Sequence, residues 1–137
     1  MHDRPTLHEI LDVVQGFLEA EVVPTTTGRT QFLARVAANL LGQADREIDL
    51  ESGHFEEAWR GLEALLGAAR APSDRASQRE AFERRLNLLC EEIRSGRLDS
   101  GSAQHETLLR VLRALVRAKL EISNPALLAA DAERGIC

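Results

Sequence analysis

Apolar residues recur every three or four positions through most of this sequence, and this period is the feature that most constrains its fold. The first periodic segment starts at the capping box TLHE, in which Thr6 and Glu9 can each accept a hydrogen bond from the other's backbone amide. Its apolar positions stop at Pro24, and the stretch TTTG follows. The pattern predicts a first helix over residues 6–23.

Four further segments show the same period, each bounded by glycine, proline or polar residues. They predict helices over residues 29–50, 55–67, 75–95 and 103–123. The stretch ESG after residue 50 separates the second helix from the third, Gly96 is a C′ residue after the fourth, and Pro125 ends the fifth. Short connections of this kind favour an antiparallel bundle, up-and-down in its simplest form.

The composition also favours helices, because Ala and Leu dominate, aromatic residues make up 4% and Tyr is absent. A chain of 137 residues is expected to form one domain with one core. We therefore predict an all-α, single-domain antiparallel bundle of about five helices over residues 1–125, followed by a tail at 126–137 that could hold one helical turn. The predicted core contains Leu11, Phe17, Phe32, Val36, Leu40, Trp59, Leu62, Phe82, Leu86, Leu112 and Leu115.

The formal net charge of -5 argues against nucleic acid or an anionic membrane as the main partner, since either would require a basic face. A signal-peptide pattern is missing, and no run of 18 apolar residues occurs, so we expect a cytoplasmic protein that does not enter a membrane. Cys90, within the apolar stretch LNLLCEEI, is expected to be a small buried hydrophobe.

Polar residues interrupt the apolar face of the second helix at four-residue intervals, from Arg35 through Asn39 and Gln43 to Glu47. At about 100° per residue these positions drift by about 40° per step, so Arg35 starts outside the apolar sector and Glu47 ends near its middle. Lys119, the only lysine, falls near the centre of the apolar face of the fifth helix. A lone buried charge costs several kcal/mol, so Glu47 and Lys119 are predicted to form an inter-helix ion pair. Two alternatives are that Lys119 extends to the rim, or that one of these groups acts in a functional pocket.

A second polar set, Arg35, Asn39 and Arg46, lies on one side of the same helix, beside its apolar sector. The planar guanidinium suits a phosphate or carboxylate, so this edge could bind an anion. The simpler interpretation is a solvated or interface-facing edge.

Motifs of catalysis or metal binding are missing from the sequence. His8, His54 and His105 are isolated, with no second histidine or cysteine at i+3 or i+4, which predicts surface or helix-end histidines and no metal site. The run ERR at 83–85 is expected to be a solvated helix face. We therefore predict no catalytic residue and no cofactor.

Several short stretches resemble a family of small bacterial domains of unknown function: MHDRPT, RVAAN followed by RE, IRSGRLD, and RAKLEISNP, across about residues 2–125. Members of that family are commonly encoded beside aminoglycoside-phosphotransferase-like kinases and acyl-CoA dehydrogenases. One branch resembles the small accessory subunit of the hydroxyacyl-CoA kinase of levulinate catabolism. The positions that match the family pattern are Pro5, Arg35, Ala37, Ala38, Asn39, Arg46, Glu47, Gly96, Asp99, Lys119, Asn124 and Pro125. The resemblance carries no catalytic role to any of them.

Two functional classes follow. The resemblance and the missing catalytic motifs favour a non-catalytic accessory or interaction protein that supports a phosphotransferase-type kinase in acyl-CoA or hydroxy-acid catabolism. The alternative is a small-molecule binding domain or small enzyme whose pocket holds an anionic metabolite or acyl-CoA. That pocket would be lined by Arg35, Asn39, Arg46, Glu47 and Lys119. An enclosed pocket touching all five would favour the alternative, and an exposed apolar patch would favour the first class. A homo-oligomer is compatible with either.

Overall fold

The computed structural model of the chain describes residues 4–134, which form helices and connections without a strand. The helices are α1 (Leu7–Phe17), α2 (Gly28–Leu66), α3 (Arg75–Arg94), α4 (His105–Ser123) and α5 (Pro125–Glu133). The predicted all-α bundle is confirmed. No helix in this part of the chain is both long and apolar enough to cross a bilayer.

The first helix begins where the sequence predicts and extends slightly further. The Glu9 amide donates to Thr6 Oγ1 at 3.2 Å and the Thr6 amide donates to Glu9 Oε2 at 2.7 Å, which completes the capping box. Beyond α1, a π-helical turn (Leu18–Val22) and a last α-helical turn (Val23–Thr25) follow. Pro24 lacks an amide hydrogen, and its ring would clash with an upstream carbonyl in a regular helix. The wider π-helical turn lies immediately before it and relieves this conflict.

The second and third predicted helices are one helix. The sequence predicts a break between 29–50 and 55–67, but α2 is continuous through Gly53. Gly costs about 1 kcal/mol in a helix interior, and tertiary packing routinely outweighs such a preference. The side chains of Glu51 and Arg75 form an ion pair beside this point, which ties α2 to the start of α3.

The N-terminal half of α2 packs antiparallel against α1, and we call α1 together with residues 28–46 the hairpin. Ala34, Ala38 and Gly42 are buried and recur at four-residue spacing, so small side chains form the seam between the two helices. The Gln15 amide lies against Gly42, where an added Cβ would come 3.2 Å from Oε1. Within residues 4–134, α2 is the only one of the numbered helices that α1 contacts.

The C-terminal half of α2 carries the rest of the bundle. Helix α4 runs antiparallel to it, with Val111 against Gly61 and the Ile122 carbonyl accepting a 2.8 Å hydrogen bond from Arg46 Nε. Helix α3 runs in the same general direction as α2, because the linker at residues 67–74 carries the chain back along α2 before α3 begins. The up-and-down order therefore changes at this one connection.

The core lies between α2, α3 and α4. Its buried cluster consists of Leu62, Leu65, Leu89, Leu98, Leu108 and Val111. Of the predicted core residues, Trp59 and Leu62 are buried, and Phe82, Leu86, Leu112 and Leu115 pack against this cluster while partly buried. Leu98 comes from the connection between α3 and α4, which helical periodicity does not predict.

Four predicted core residues are exposed, and all four belong to the hairpin. The exposed fractions are 57% for Phe17, 64% for Phe32, 38% for Val36 and 56% for Leu40. Only two helices meet there, and their seam is built from small residues, so the large apolar side chains are left outside the contact. These core assignments are wrong because the sequence pattern shows which side of a helix is apolar, but not whether another helix covers it.

The fourth predicted helix also needs two corrections. Arg85, expected in a solvated face, is buried, and its Nη2 atom donates to the carbonyls of Leu62 at 3.0 Å and Gly67 at 2.7 Å. Cys90, expected inside, is exposed. The helix ends as predicted, with Gly96 at a φ of +76° just after it.

The C-terminal region contains more than the single turn expected of a tail. Asn124 ends α4, and its side chain accepts a 3.3 Å hydrogen bond from the Leu127 amide at the start of α5. Helix α5 packs on α4. The division into 1–125 and 126–137 stays a prediction, and residues 1–3 and 135–137, with Cys137, lie outside the described part of the chain.

Candidate functional site

The five polar residues singled out in the sequence do not share one pocket. Arg35, Asn39 and Arg46 line a groove of about 340 Å³ in the hairpin. Glu47 and Lys119 line a separate cleft of about 490 Å³ between α2, α3 and α4. Both recesses open to the surface, so neither is the enclosed pocket that an enzyme built on all five residues would need.

The hairpin groove is polar, and part of it is already occupied by internal contacts. Arg46 Nε donates a hydrogen bond to the Ile122 carbonyl at the end of α4. Across the groove, the Gln15 side chain donates to Glu19 at 3.0 Å. Arg35 is exposed and forms no ion pair with any described residue. An anion site and a solvated edge both stay predictions for these residues.

The predicted ion pair between Glu47 and Lys119 is wrong. Both side chains are exposed, and no ion pair joins them, although both lie in the described part of the chain. The apolar sector that placed Glu47 in the core was defined by Val36 and Leu40, which are themselves exposed. Lys119 lies near the end of α4, where that helix borders the cleft instead of the core.

The cleft has apolar walls and a charged mouth. Phe55, Phe82, Leu115 and Ile122 lie among its lining residues. The charged groups at the cleft are Glu47, Glu51, Arg75, Arg79 and Lys119. Glu51 and Arg75 neutralise each other, whereas the other three form no ion pair within residues 4–134. Two cations and one anion are therefore available to a ligand.

His54 also lines the cleft, and it is held by a carboxylate of α4. Its Nε2 atom lies 2.8 Å from Glu121 Oε2, while Arg117 Nε lies 3.1 Å from the other carboxylate oxygen. The hydrogen bond with His54, followed by that with Arg117, lowers the pKa of Glu121. His54 Nδ1 is buried and has no partner among the described residues, so it cannot reach a molecule in the cleft as a base. The arrangement fastens α2 to α4.

His8 is not isolated, contrary to the sequence-based expectation. Its Nδ1 atom lies 2.5 Å from Asp45 Oδ1, and its Nε2 atom lies 3.3 Å from Asp49 Oδ1. Asp45, and then Asp49, raise the pKa of His8. The ligand atoms of the three residues lie within 4.8 Å of one another, so this is the group of described residues that could share a metal ion. Both ring nitrogens already face carboxylates, and the triad acts as a clasp between α1 and α2.

Sequence reasoning missed this clasp because its partners lie on different helices, with 37 positions between His8 and Asp45. A search at i+3 and i+4 tests only neighbours on one helix. The capping box at Thr6 and the break before Gly28 together imply a hairpin, and an antiparallel hairpin brings His8 beside this part of α2. That combination is the signal that could have found the clasp.

Most of the exposed large hydrophobic side chains of the described residues belong to the hairpin, and we call them together the apolar face. They are 38–72% exposed and form two stripes: Leu7, Ile10, Val13, Val14 and Phe17 on α1, and Phe32, Leu33, Val36 and Leu40 on α2. The α2 stripe lies on the side of α2 opposite Ala34, Ala38 and Gly42, so it faces away from α1. Val36 precedes His54 by about five helical turns and so lies on the same side of α2. The α2 part of the apolar face therefore continues the surface that α4 covers further along.

Charge is distributed unevenly over the hairpin. Residues 5–27 contain Glu9, Asp12, Glu19 and Glu21 but no Arg or Lys. Residues 28–44 contain two Arg and no acidic residue. A surface that docks on the hairpin therefore meets an acidic helix on one side and a basic segment on the other.

Residues 24–127 match the family described as Domain of unknown function (DUF6285). The match runs from Pro24, shortly before α2, to Leu127 in α5, and it includes Arg35, Asn39, Arg46, Glu47 and Lys119. No curated protein and no solved structure matches the chain.

Proposed function

We propose that the chain, which belongs to the DUF6285 family, is a non-catalytic accessory protein that binds a partner protein through the apolar face of its hairpin. The exposure of this face is the observation that carries the proposal. Single exposed hydrophobic side chains are ordinary, but the four on one side of α2 form a stripe that continues the surface covered by α4, and such a stripe marks an interaction site.

The structure of the hairpin indicates what kind of partner fits. Because α4 ends beside Arg46 while the apolar stripe of α2 continues towards Phe32, a helix of the partner can extend the packing that α4 begins. Acidic residues of that partner would face Arg29, which precedes Val36 by about two helical turns on the same side of α2. The favourable area comes from apolar burial, and the charges select the orientation.

The partner we propose is an aminoglycoside-phosphotransferase-like kinase acting in acyl-CoA or hydroxy-acid catabolism. This identity rests on the sequence resemblance to a family whose members are commonly encoded beside such kinases. The cleft supports a non-catalytic role, because no hydrogen bond among the described residues joins its Ser52 or Ser73 to His54 or to a carboxylate.

The test is co-expression with an aminoglycoside-phosphotransferase-like kinase of the same genome, followed by affinity purification and a kinase assay with and without this chain. The kinase should co-purify and gain activity. Phe32→Asp should weaken the complex by at least about tenfold, since an interface hydrophobe would be replaced by an unpaired charge. Asn87→Asp, an exposed change on α3, is the matched control and should leave binding unchanged.

Two outcomes would contradict the proposal. One is a kinase that neither binds nor responds to the chain. The other is kinase, ATPase or esterase turnover by the isolated chain. Light scattering on the purified protein separates a further case: a dimer that Phe32→Asp dissociates would assign the apolar face to a second copy.

A further inference from the structure

We propose that the cleft between α2, α3 and α4 binds a small amphipathic carboxylate, with its apolar body against the walls and its carboxylate between Arg79 and Lys119. This goes beyond the proposed function, because the cleft lies C-terminal to the hairpin along α2 and its ligand site needs no partner protein.

The volume and walls of the cleft suit the apolar body of such a ligand. About 490 Å³ falls within the range of small-molecule sites, which are lined mainly by hydrophobic and aromatic side chains. Phe55 and Phe82 face each other from α2 and α3 with ring centroids 6.1 Å apart. Leu115 and Ile122 supply the α4 side. Transferring a hydrocarbon chain from water to these walls is favourable at about 0.8 kcal/mol per buried CH₂ group.

The charges at the mouth select the head group. Glu51 and Arg75 form an ion pair, so they contribute little net charge. Arg79 and Lys119 form no ion pair within the described residues, and one unpaired anion, Glu47, lies on the α2 side. The balance of the unpaired groups is one positive charge. A ligand with one negative charge compensates it, and the planar guanidinium of Arg79 matches a carboxylate.

Lys119 gives this proposal an unusually specific probe. It is the only lysine in the chain, so modification of a side-chain amine reports on the cleft alone. A carboxylate bound beside Lys119 should slow its acylation by an amine-reactive ester, measured by mass spectrometry of the Lys119 peptide. The N-terminal amine, labelled in the same reaction, serves as an internal control.

The experiment titrates the full chain with decanoate, below its micelle concentration, by calorimetry and by Lys119 labelling. We expect saturable binding with one site per chain and at least a fivefold slower labelling of Lys119 at saturation. Decanamide, which keeps the chain but lacks the charge, should bind at least tenfold more weakly, and acetate should not bind detectably. These ligand comparisons test the proposal without relying on any variant.

The variants then locate the site. Arg79→Ala and Lys119→Ala should each weaken decanoate at least fivefold. Arg84→Ala and Arg113→Ala, exposed arginine changes on the same two helices away from the cleft, should not. Absent binding, equal affinity for decanoate and decanamide, or equal effects of the test and control variants would each overturn the proposal. Binding of decanoate that Phe32→Asp abolishes would place the ligand on the apolar face instead.

Discussion

The guanidinium of Arg85 lies over the ring of Trp59, 5.1 Å from its centroid, so a buried cation of α3 is held against the end of α2. The same guanidinium donates to the carbonyl of Leu62, near the end of α2, and to that of Gly67, directly after it. Trp59 Nε1 in turn donates to the Ala69 carbonyl at 3.0 Å, which fastens the linker. This arrangement fixes the direction in which the chain returns before α3.

We predict that Arg85→Met destabilises the protein by about 2–3 kcal/mol. The variant keeps an apolar side chain beside Trp59 but removes the hydrogen bonds to the Leu62 and Gly67 carbonyls, of which the first is buried. Arg84→Met is the control, because Arg84 is 67% exposed and has only a helix-surface ion pair with Glu80. It should change the free energy of unfolding by no more than about 0.5 kcal/mol. Equal effects in urea denaturation would show that Arg85 is not structural.

The continuity of α2 predicts opposite effects at two of its glycines. A Cβ at Gly53 meets nothing within 4 Å, so Gly53→Ala should stabilise the protein by about 0.5–1 kcal/mol through helix propensity. A Cβ at Gly61 would lie 3.0 Å from Val111 Cγ2, so Gly61→Ala should destabilise by about 1 kcal/mol or more. Thermal unfolding measures both changes. A destabilising Gly53→Ala would indicate that α2 breaks there, and failure of Val111→Ala to reduce the effect of Gly61→Ala would reject the steric explanation.

The clasp at His8 makes the docking of α1 depend on pH. The pKa of His8 is raised in the folded state by Asp45, Asp49 and the nearby Asp12. Its stabilising contribution is therefore full below the unfolded pKa of about 6.5 and is lost as the pH rises through the higher folded value. Amide hydrogen exchange in α1, corrected for its intrinsic pH dependence, should show more protection at pH 6 than at pH 8.5. His8→Ala should abolish this difference, and a difference that persists in the variant would contradict the role of His8.

Glu121 makes stability depend on pH in the opposite direction to His8, and at acidic pH. Its pKa is lowered by the hydrogen bond with His54 and then by Arg117. Its contribution is present above the unfolded pKa of about 4.3 and is lost as the pH falls through the lower folded value. Glu121→Gln should therefore reduce stability at pH 6 but have little effect near pH 2.5, as measured by urea denaturation at each pH. An equal loss at both pH values would indicate a steric effect of the substitution.

The exposed positions of Glu47 and Lys119 predict small effects of their substitution on stability, in contrast to the large effects expected of a buried ion pair. Because both are exposed and unpaired with each other, Glu47→Leu and Lys119→Met should each alter the free energy of unfolding by no more than about 0.5 kcal/mol. The double variant should show the sum of the two changes. A coupling energy above about 1 kcal/mol would restore the buried ion pair that the sequence pattern suggests.

The contrast between the two halves of α2 shows what sequence periodicity can and cannot predict. Helix positions follow from local rules, so the capping box at Thr6 and the glycine after α3 mark real helix ends. Burial depends on which helices meet: Phe32 and Leu62 both lie in apolar stripes of α2, but Phe32 is exposed and Leu62 is buried. The four-residue spacing of Ala34, Ala38 and Gly42 could have identified the side of α2 that packs on α1. Phe32 lies outside that side of the helix.

The candidate sites follow the same division. Arg35, Asn39 and Arg46 were assigned to one side of a helix, and they line one groove, because a single helix fixes their relation. The clasp at His8 joins residues on two helices, so no local spacing could reveal it. The break expected at residues 51–53 also divided α2 into two predicted helices, whereas the structure has one continuous helix.

An uninterrupted α2 has a mechanical consequence. Its 39 residues span about 58 Å as one rod, which begins at Gly28 in the hairpin and ends at Leu66 beside the buried core. The hairpin and the core therefore have no hinge between them, and bending one against the other would require breaking backbone hydrogen bonds within a helix. A force that a bound partner applies at Phe32 would therefore displace the residues of α2 that line the cleft, because the helix between them is stiff.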